Sequence, residues 1–418
     1  MVKKVLRNNF FRTAILGNFM EYYDIALYGA MLPKFLTLFF PQENPAVALL
    51  WGLGTFAVGG ITRPLGGILF GHIGDSYGRK YALLISIIFM FIPTFIIGIT
   101  PSYETIGVTA PIIITLCRMA AGICIGGESI TVIVYILEKT NPNQANYVGS
   151  LICVVSFFGV IIGGIICAIF SYEWMWDWAW RIPFVSTIFL AYCSYNCRKH
   201  LHETSKFKSK KIITKIPFIE VLRNNLPNIM CTFGLGAAGA IPFHIMTLYT
   251  LTLLKTEINL PLYQIIFVNV LNLSFMMGTL IIFGKLADRR GTIPIMVVSL
   301  IMTAIIAVPV LNLIHSGCLI KIILAQLMMA FTMSGFLSGV SAFMMGLFPV
   351  ETRSSGIGFA YNLGNSVLGV TAPIMIVAIM MKNPASNYPA LYLIFGSIIG
   401  MIAIFYAKKI PLPLKAII

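Results

Sequence analysis

Long apolar runs separated by short polar segments dominate the pattern of the chain. A membrane-crossing helix needs about 20 consecutive, mainly apolar residues, and by that measure the sequence predicts twelve spans. We therefore expect an all-α membrane protein with twelve transmembrane helices. The approximate limits of the predicted spans are 13–39, 48–71, 81–100, 107–135, 147–170, 180–198, 225–254, 262–284, 293–314, 319–347, 355–381 and 388–408.

A second pattern repeats at half the length of the chain. The stretch 71–80, GHIGDSYGRK, recurs in altered form as 284–292, GKLADRRGT, 213 positions later. Self-similarity at a fixed period marks an internal duplication, and six spans per copy make the copies parallel repeats related by an axis along the membrane normal. The residue pairs that match at this offset are Asp75 and Asp288, Gly78 and Gly291, Gly122 and Gly335, Gly126 and Gly339, and Glu138 and Glu351.

One long charged segment, residues 198–223, interrupts the apolar pattern between the sixth and seventh spans. We expect residues 1–198 to form an N-terminal six-helix bundle, residues 199–222 a cytoplasmic loop between the bundles, and residues 223–418 a C-terminal six-helix bundle. The basic charge of the loop is typical of a solvated linker held near anionic lipid.

Composition and charge confirm the membrane as solvent and set an orientation. Of the 418 residues 58% are hydrophobic and 10% charged, which excludes an ordinary soluble protein. The net charge of +15 does not indicate nucleic acid, because Lys and Arg cluster in short segments between apolar runs. Their asymmetry predicts that both termini are cytoplasmic. We expect a multi-pass protein of a bacterial inner membrane, whose basic N-terminal segment leads into a retained first span.

Catalytic and metal-binding motifs are missing from the sequence. The eight cysteines form no CxxC or metal-ligand spacing, and there is no Walker loop, HExxH motif or nucleophile elbow. We therefore expect no enzyme, no metal and no cofactor. The predicted partners are a small-molecule solute and membrane lipid, with no nucleic acid, and we expect the protein to work as a monomer.

Polar residues form a stripe in the first span. Asn18, Glu21 and Asp24 recur at every third position, and Tyr28 follows four residues later, so the four side chains share one helical face. Ionisable groups inside a membrane are costly and face a partner or a water-filled cavity. We expect this face to line a cavity, with Glu21 and Asp24 serving proton coupling and Asn18 and Tyr28 binding solute. The alternative is that Glu21 lies solvated at the cytoplasmic interface.

The fourth span carries a second set of charges. Arg118 must be paired inside the membrane, and Glu128, Asp24 and Glu21 are its candidate partners. We expect one carboxylate, Glu128 or Asp24, to alternate between pairing with Arg118 and holding a proton, whereas the alternative is a static ion pair that fixes helix packing. Gly122 and Gly126, one and two turns after Arg118, predict close approach of a neighbouring helix.

Two groups of residues are expected at a cytoplasmic gate. Asp75 and Asp288 lie at tight glycine turns beside basic residues, and acidic residues follow the fourth and tenth spans. Such charges can hold a two-state gate shut, although they could instead fix turn geometry alone. The candidate gating residues are Asp75, Arg79, Lys80, Glu138, Asp288, Arg289, Glu351 and Arg353.

Intramembrane charge nearly disappears in the second half, where hydrogen-bonding side chains replace it. Groups of this kind orient a small polar solute. Glycines and Pro242 weaken the seventh span, and a broken helix exposes backbone groups to a cavity. The candidate solute-binding residues of this half are Asn269, Asn272, Tyr361, Asn362 and Asn365, to which the second span adds Arg63 beside Pro64, for which a structural pairing is an equal alternative.

Several of these stretches resemble the major facilitator superfamily. The loop 71–80 resembles the signature between its second and third spans, and the run 54–80 is similar to the metabolite:proton symporter family, which includes proline/betaine, dicarboxylate, citrate and shikimate transporters. The other stretches that carry the resemblance are GNFMEYYDIALYG (17–29), RMAAGICIGGE (118–128), WRIPF (180–184) and FPVETRSSGIGFAYNLG (348–364).

The resemblance implies proton-coupled uptake of a small polar metabolite or compatible solute of the proline/glycine betaine type by alternating access. A proton:dicarboxylate symporter is the alternative, followed by a uniporter or exchanger and by a sensor that does not transport. Two departures stand out. Ser76 replaces the basic residue that usually follows the loop aspartate, and the coiled-coil extension of some osmosensing relatives has no counterpart, so osmotic gating by that device is not expected.

Overall fold

The structure is a computed structural model. The residues that it describes are helical wherever they are regular, and they contain no strand. The described residues are 9–40, 45–170, 175–209, 217–250, 253–254, 260, 262–372, 375–376 and 387–410.

Two compact units make up the chain. The segments of unit 1 are Met1–Lys139, Val155–Phe218 and Val350–Phe359, and those of unit 2 are Thr140–Val154, Ile219–Pro349 and Ala360–Ile418. Each unit thus takes one short segment from the other half of the sequence. The expected bundle limits, 1–198 and 223–418 with a loop at 199–222, stay a prediction.

The helices of unit 1 follow the first six predicted spans. They are α1 (Asn9–Phe39), α2 (Pro45–Ile61), α3 (Arg63–Ser76), α4 (Arg79–Ile99), α5 (Tyr103–Ile106), α6 (Thr109–Glu138), α8 (Arg181–Val185), α9 (Thr187–Arg198) and α10 (Ser205–Lys208). Helix α7 (Ala145–Phe170) begins in unit 2 and continues in unit 1, and α11 (Pro217–Asn224) begins in unit 1 and continues in unit 2.

The helices of unit 2 follow the later spans. They are α12 (Leu226–His244), α13 (Leu262–Arg290), α14 (Thr292–His315), α15 (Leu319–Leu347) and α17 (Tyr388–Ala407). Helix α16 (Arg353–Gly364) begins in unit 1 and ends in unit 2. Two π-helical turns, Ile245–Tyr249 and Asn365–Val370, continue α12 and α16.

Eight helical segments in the described part of the chain are long and apolar enough to cross a membrane. Helices also occupy the described parts of the other predicted spans, but α2 with α3 and α8 with α9 are broken into shorter pieces. The all-helical membrane fold is therefore confirmed, whereas the count of twelve spans and the cytoplasmic position of the termini stay predictions.

Small residues bring α6 against the second predicted span, as expected from Gly122 and Gly126. A β-carbon on Gly122 would collide with the carbonyl of Gly59, and one on Gly126 would collide with the carbonyl of Arg63. The helix is interrupted between these contacts at Thr62, because Pro64 cannot donate a helical hydrogen bond. The glycine prediction is confirmed, and the contact fixes Arg63 against α6.

The duplicated loop is visible as a duplicated turn. Gly78 precedes α4 with φ 120° and Gly291 precedes α14 with φ 98°. Both values lie in the region that side chains with a β-carbon rarely adopt, which explains why glycine recurs at the offset of the repeat.

Candidate functional site

All four polar residues of the α1 stripe are buried. Glu21 and Asp24 are each 1% exposed, so the alternative of a solvated Glu21 does not hold in this structure. Asn18 donates from Nδ2 to the hydroxyl of Ser156 at 2.6 Å. The periodicity of the sequence therefore identified a true interior face of α1.

Arg118 lies beside Asp24. Its Nη1 is 4.0 Å from Oδ2 of Asp24, and the hydroxyl of Thr94 donates to Oδ1 of the same carboxylate. The guanidinium also stacks over the ring of Tyr28, with 4.2 Å between the guanidinium carbon and the ring centre. Of the three carboxylates that the sequence left open, the structure pairs Asp24 with Arg118, at the outer limit of an ion pair.

Glu128 has a different partner, which the sequence did not suggest. Nη2 of Arg198 is 2.5 Å from Oε1 of Glu128, and the hydroxyl of Ser86 donates to Oε2. Arg198 is fully buried and donates to the backbone carbonyls of Ala14 and Leu83. The alternation of Glu128 with Arg118 is thus not the arrangement found.

The sequence placed Arg198 both at the end of the sixth predicted span, 180–198, and at the start of the charged segment 198–223. In the structure it is the last residue of α9 and ties α9 to α1, α4 and α6. A β-carbon on Gly17 would collide with its guanidinium, so the α1 glycine makes room for it. In the sequence, a glycine one position before Asn18 is a weak indication that another group packs there. Only the tertiary structure shows that this group is Arg198.

Glu21 lies near the Glu128–Arg198 pair without an ion pair of its own in the described part of the chain. Its charge interacts with Glu128, Arg63 and Arg198, and its Oε2 is buried without a hydrogen-bond donor among the described residues. Arg63 is half-buried and, across the same residues, has no carboxylate within 4.0 Å. Around Asp24 and Glu128, the described residues therefore form one tight pair, Arg198–Glu128, and one loose pair, Arg118–Asp24, while Glu21 and Arg63 form no ion pair.

The loop aspartate of unit 1 caps the start of α16. Its two carboxylate oxygens accept from the backbone N–H groups of Ser354 at 3.1 Å and Ser355 at 2.8 Å. Arg79 lies 3.0 Å from the same carboxylate. The positive N-terminal end of a helix favours a negative charge, so Asp75 holds α16 to the turn between α3 and α4.

Glu138 connects this cap to a wider cluster. Its carboxylate lies 3.4 Å from Arg79 and 3.0 Å from Arg353, and it accepts from the Thr204 hydroxyl at 2.6 Å. Arg79 also donates to the carbonyl of Val350 at 2.6 Å. Four of the eight predicted gating residues, Asp75, Arg79, Glu138 and Arg353, therefore lie in one buried network.

A segment that the sequence presents as linker covers this network. We call residues 201–209 the strap. Oε2 of Glu203 accepts from the backbone N–H of Lys80 at 3.0 Å, so Lys80 contacts the strap through its backbone. The ring of Phe207 lies 5.2 Å from the Arg79 guanidinium. Lys139 and Tyr135 both donate to the carbonyl of His202. The strap is a docked part of unit 1.

Two lysines at the strap are affected by their surroundings. Burial lowers the pKa of Lys139, and the nearby Glu203 carboxylate partly opposes this change. Burial also lowers the pKa of Lys206, and the positive charge of Arg353 lowers it further while Glu138 acts in the opposite direction. Both shifts reflect the close docking of the strap.

The loop aspartate of unit 2 makes the same kind of cap. Asp288 accepts from the backbone N–H groups of Asn146 and Tyr147, both at 3.0 Å. These are the second and third residues of α7, as Ser354 and Ser355 are of α16. The side chain of Asn146 adds a hydrogen bond to Thr292 at 3.0 Å.

Among the residues that the structure describes, the second cap lacks the charge cluster of the first. Arg289 is exposed and Glu351 is half-buried, and neither forms an ion pair with another described residue. The two copies of the repeat therefore share the aspartate cap, whereas among the described residues an ion pair reinforces the cap at Asp75 alone.

The polar residues expected to bind solute in unit 2 differ in burial. Asn272 and Asn362 are buried, and Asn269, Tyr361 and Asn365 are half-buried. Asn272 donates from Nδ2 to Oε1 of Gln326 at 3.1 Å. Gln326 was not among the predicted residues, although an amide among the apolar residues of α15 is itself a signal of a buried hydrogen bond.

Metal-binding geometry is not found in the described residues, which contain no group of three or more His, Cys, Asp or Glu side chains suited to a metal ion. The donor set around Asp24, Arg118 and Glu128 consists instead of carboxylates, guanidinium groups and hydroxyls. Such a set can bind a proton and a small zwitterion.

The chain is similar to known solute transporters. A family model described as "Sugar (and other) transporter" matches residues 10–212. The chain is 29% identical over 405 residues to the proline/betaine transporter of Salmonella typhimurium, covering 93% of this chain and 81% of the other. It is also 29% identical over 413 residues to a glycine betaine/proline/ectoine/pipecolic acid transporter of Dickeya dadantii, covering 95% and 82%.

The fold agrees with solved transporters. A proton:xylose symporter of the major facilitator superfamily, solved with a bromo-deoxyglucose, has a TM-score of 0.80 at 17% identity, with 98% of this chain and 96% of the other covered. A human organic anion transporter has a TM-score of 0.73 at 14% identity, with coverage of 96% and 99%.

These findings show that the chain has the fold of a solved major facilitator symporter and that its sequence is similar to bacterial solute transporters. The predicted resemblance to proline/betaine transporters is therefore confirmed. The prediction of a multi-pass membrane protein is likewise confirmed, because eight helices of the described residues are long and apolar enough to cross a membrane.

Proposed function

We propose that the protein is a proton-coupled secondary active transporter that takes up a small zwitterionic solute of the proline/glycine betaine type by alternating access. It is not an enzyme, it uses no cofactor other than the coupling proton, and it works as a monomer surrounded by lipid. Twelve spans with both termini in the cytoplasm complete the proposal. The loose ion pair between Asp24 and Arg118 is the observation that carries it.

A buried guanidinium requires a negative partner, because it does not lose its proton. In this structure Asp24 supplies that charge from 4.0 Å, with Thr94 as a further hydrogen-bond donor to the carboxylate. When a proton neutralises Asp24, Arg118 needs another anion, and the carboxylate of a zwitterionic solute can replace it. Proton and solute therefore bind together, which is the condition for symport.

Glu128 has a supporting role in this scheme. Arg198 at 2.5 Å, together with Ser86, holds its charge in place, so protonation of Glu128 would leave Arg198 buried without a counter-ion. Glu21, which is buried without an ion pair among the described residues, remains a second candidate carrier of a proton. Asn18 and Tyr28 complete the proposed cavity face.

The proposed gate uses the two aspartate caps. Asp75 and Asp288 hold the starts of α16 and α7 in this structure, and releasing either cap frees two backbone N–H groups. A transition between capped and uncapped helices gives the two states that a gate needs. Lys80, Arg289 and Glu351 stay weaker candidates, because among the described residues they add no ion pair to either cap.

The test is uptake of radiolabelled proline and glycine betaine into proteoliposomes, with and without an imposed proton gradient. Asp24→Asn mimics the protonated carboxyl, so we expect it to abolish accumulation driven by the gradient while exchange of internal for external solute persists. Glu128→Gln with Arg198→Leu is the matched control at the neighbouring pair. Gradient-driven accumulation by Asp24→Asn at the level of the natural chain would refute the assignment.

A proton:dicarboxylate symporter is the second candidate, and Arg63 is the observation that favours it. Its guanidinium has no carboxylate within 4.0 Å among the described residues, so it could accept a second solute carboxylate. Uptake of 2-oxoglutarate or citrate in preference to proline and betaine, lost in Arg63→Gln, would replace the first proposal with this one.

A further inference from the structure

Two buried amides and one backbone carbonyl form a chain of hydrogen bonds in unit 2. Nε2 of Gln326, in α15, donates to the carbonyl of Met246 at 3.2 Å, and Oε1 of the same side chain accepts from Nδ2 of Asn272, in α13, at 3.1 Å. Both side chains are almost completely buried, with 3% and 2% exposure.

The π-helical turn explains why this carbonyl is available. In an α-helix the N–H of Thr250 would bond to the carbonyl of Met246, four residues earlier. Here it bonds to the carbonyl of Ile245, five residues earlier, and the Thr250 hydroxyl donates to the same atom at 2.9 Å. The shift releases the carbonyl of Met246 to Gln326. Single π turns of this kind occur frequently at functional sites.

The carbonyl also determines how both amides are oriented. A carbonyl can only accept, so Gln326 must present its NH₂ group to Met246 and its oxygen to Asn272. Asn272 must then present its own NH₂ group to Gln326, and its Oδ1 remains as an acceptor. That atom is buried and has no hydrogen-bond donor among the described residues.

A buried acceptor without a donor costs stability and requires an explanation. The nearest explanation is a ligand that brings an N–H or O–H group. Asn272 lies three residues after Asn269, so both amides are on one face of α13. The described hydrogen-bonding groups here are two neutral amides and a carbonyl. Such a site recognises an N–H or O–H donor of the ligand through a hydrogen bond and forms no ion pair with it.

We propose that Oδ1 of Asn272 accepts a hydrogen bond from the ammonium group of the solute, and that Gln326 is the positioning residue that fixes this acceptor. The inference rests on the proposed function and specifies its substrate class. Within the proposed proline/glycine betaine type, unit 2 then favours amines that retain an N–H, such as the secondary ammonium of proline, over fully methylated ones such as that of glycine betaine. A site built for a hydrogen bond discriminates strongly against an analogue that lacks the donor.

The experiment measures how proline, N-methylproline and N,N-dimethylproline compete with radiolabelled proline in proteoliposomes. The three compounds share the ring and carboxylate but carry two, one and no N–H on the charged nitrogen. For the natural chain we expect affinity to fall about tenfold across the series, the effect of one charge-assisted hydrogen bond. In Asn272→Leu we expect the series to become flat to within about twofold, because its acceptor is absent.

Two further variants separate selection from general damage. Gln326→Leu leaves Asn272 free to turn over, so we expect an intermediate loss of preference. Thr279→Val, two turns along α13, removes a buried hydrogen bond to Ser334 at 2.7 Å and should keep the full preference. If Asn272→Leu does not insert stably into the membrane, the Gln326→Leu variant provides the test. An unchanged preference across the proline series in that variant would overturn the inference.

The outcomes distinguish this inference from the proposed function. If the natural chain takes up neither proline nor betaine, the proposed function fails and this inference fails with it. If uptake is intact but the series is flat in the natural chain, or equally steep in Asn272→Leu, the inference alone is overturned and Asn272 has a structural role.

Discussion

Arg198 shows how a single residue can change meaning between sequence and structure. In the sequence it begins a basic segment, but in the structure it is fully buried and holds Glu128 at 2.5 Å. A buried ion pair contributes little net stability compared with apolar residues, yet removing one partner leaves an uncompensated charge. Replacing Arg198 by itself should therefore destabilise the protein, because the charge of Glu128 would be buried without a partner.

The corresponding prediction concerns stability. Arg198→Leu should destabilise the protein by about 3–5 kcal/mol because Glu128 is left buried and unpaired. Thermal unfolding in detergent, followed by the loss of the monodisperse peak in size-exclusion chromatography, measures the effect. Lys199→Leu, one residue later and exposed, is the matched control and should unfold like the natural chain.

A double variant tests the cause of that loss. Combining Arg198→Leu with Glu128→Leu removes both charges and should recover most of the stability. If the double variant is no more stable than Arg198→Leu, the two residues do not act as a pair.

Helix starts are the features that matter at the scale of elements. Asp75 and Asp288 each accept from two backbone N–H groups at the second and third residues of a helix. Each cap satisfies donors that a helix start leaves unpaired. The first is reinforced by Arg79 at 3.0 Å, whereas the described contacts of the second are hydrogen bonds alone.

This difference predicts unequal effects on transport. Asp75→Asn removes the charge that pairs with both Arg79 and the start of α16, so we expect it to change the turnover rate about tenfold or more while the half-saturation concentration changes little. Asp288→Asn is the matched variant and should have a smaller effect. Initial uptake rates over a range of solute concentrations distinguish the two parameters, and a change in half-saturation alone would argue against gating.

The strap is the other element that the sequence did not reveal. Thr204 donates to Glu138 at 2.6 Å, and its hydroxyl also accepts from the N–H of Phe207 at 3.2 Å, capping α10. One side chain thus forms the local turn and joins it to the charge network. This explains how a short helix in a basic linker becomes fixed.

Loss of that hydroxyl should loosen the strap. Thr204→Val removes a cap and a hydrogen bond to a carboxylate, worth about 1–2 kcal/mol together. We expect limited trypsin digestion to cut faster after Lys206 and Lys208. Ser209→Ala is the control, because the Ser209 hydroxyl donates within the strap, to the carbonyl of Lys206, and digestion should not change. Equal digestion of both variants would show that Thr204 does not hold the strap.

At the scale of the whole molecule, the two copies of the repeat share turns and helix caps but differ in their buried polar side chains. The repeat survives in the glycine turns at Gly78 and Gly291 and in the two aspartate caps. The buried ion pairs described above lie in unit 1, whereas the amide network lies in unit 2. The two copies therefore share the glycine turns and the aspartate caps, whereas the buried charged and amide side chains differ between them.

Local periodicity explains what could be predicted about the site. The spacing of Asn18, Glu21 and Asp24 was sufficient to place them on a buried face, because an α-helix repeats every 3.6 residues. Partner choice was not predictable. Whether Arg118 meets Asp24 or Glu128 depends on which helices adjoin, and spacing along the chain contains no such information.

The sequence by itself determined that this chain crosses a membrane, that it is duplicated, and that α1 and α6 carry buried charge, because hydropathy, internal similarity and helical periodicity are properties of the chain alone. Tertiary structure decided which charges pair, that Arg198 is buried, that the strap docks on the charge network of unit 1, and that a π turn leaves the carbonyl of Met246 for Gln326. These depend on contacts between residues far apart in sequence, where burial makes each charge and amide take the partner that the fold places beside it.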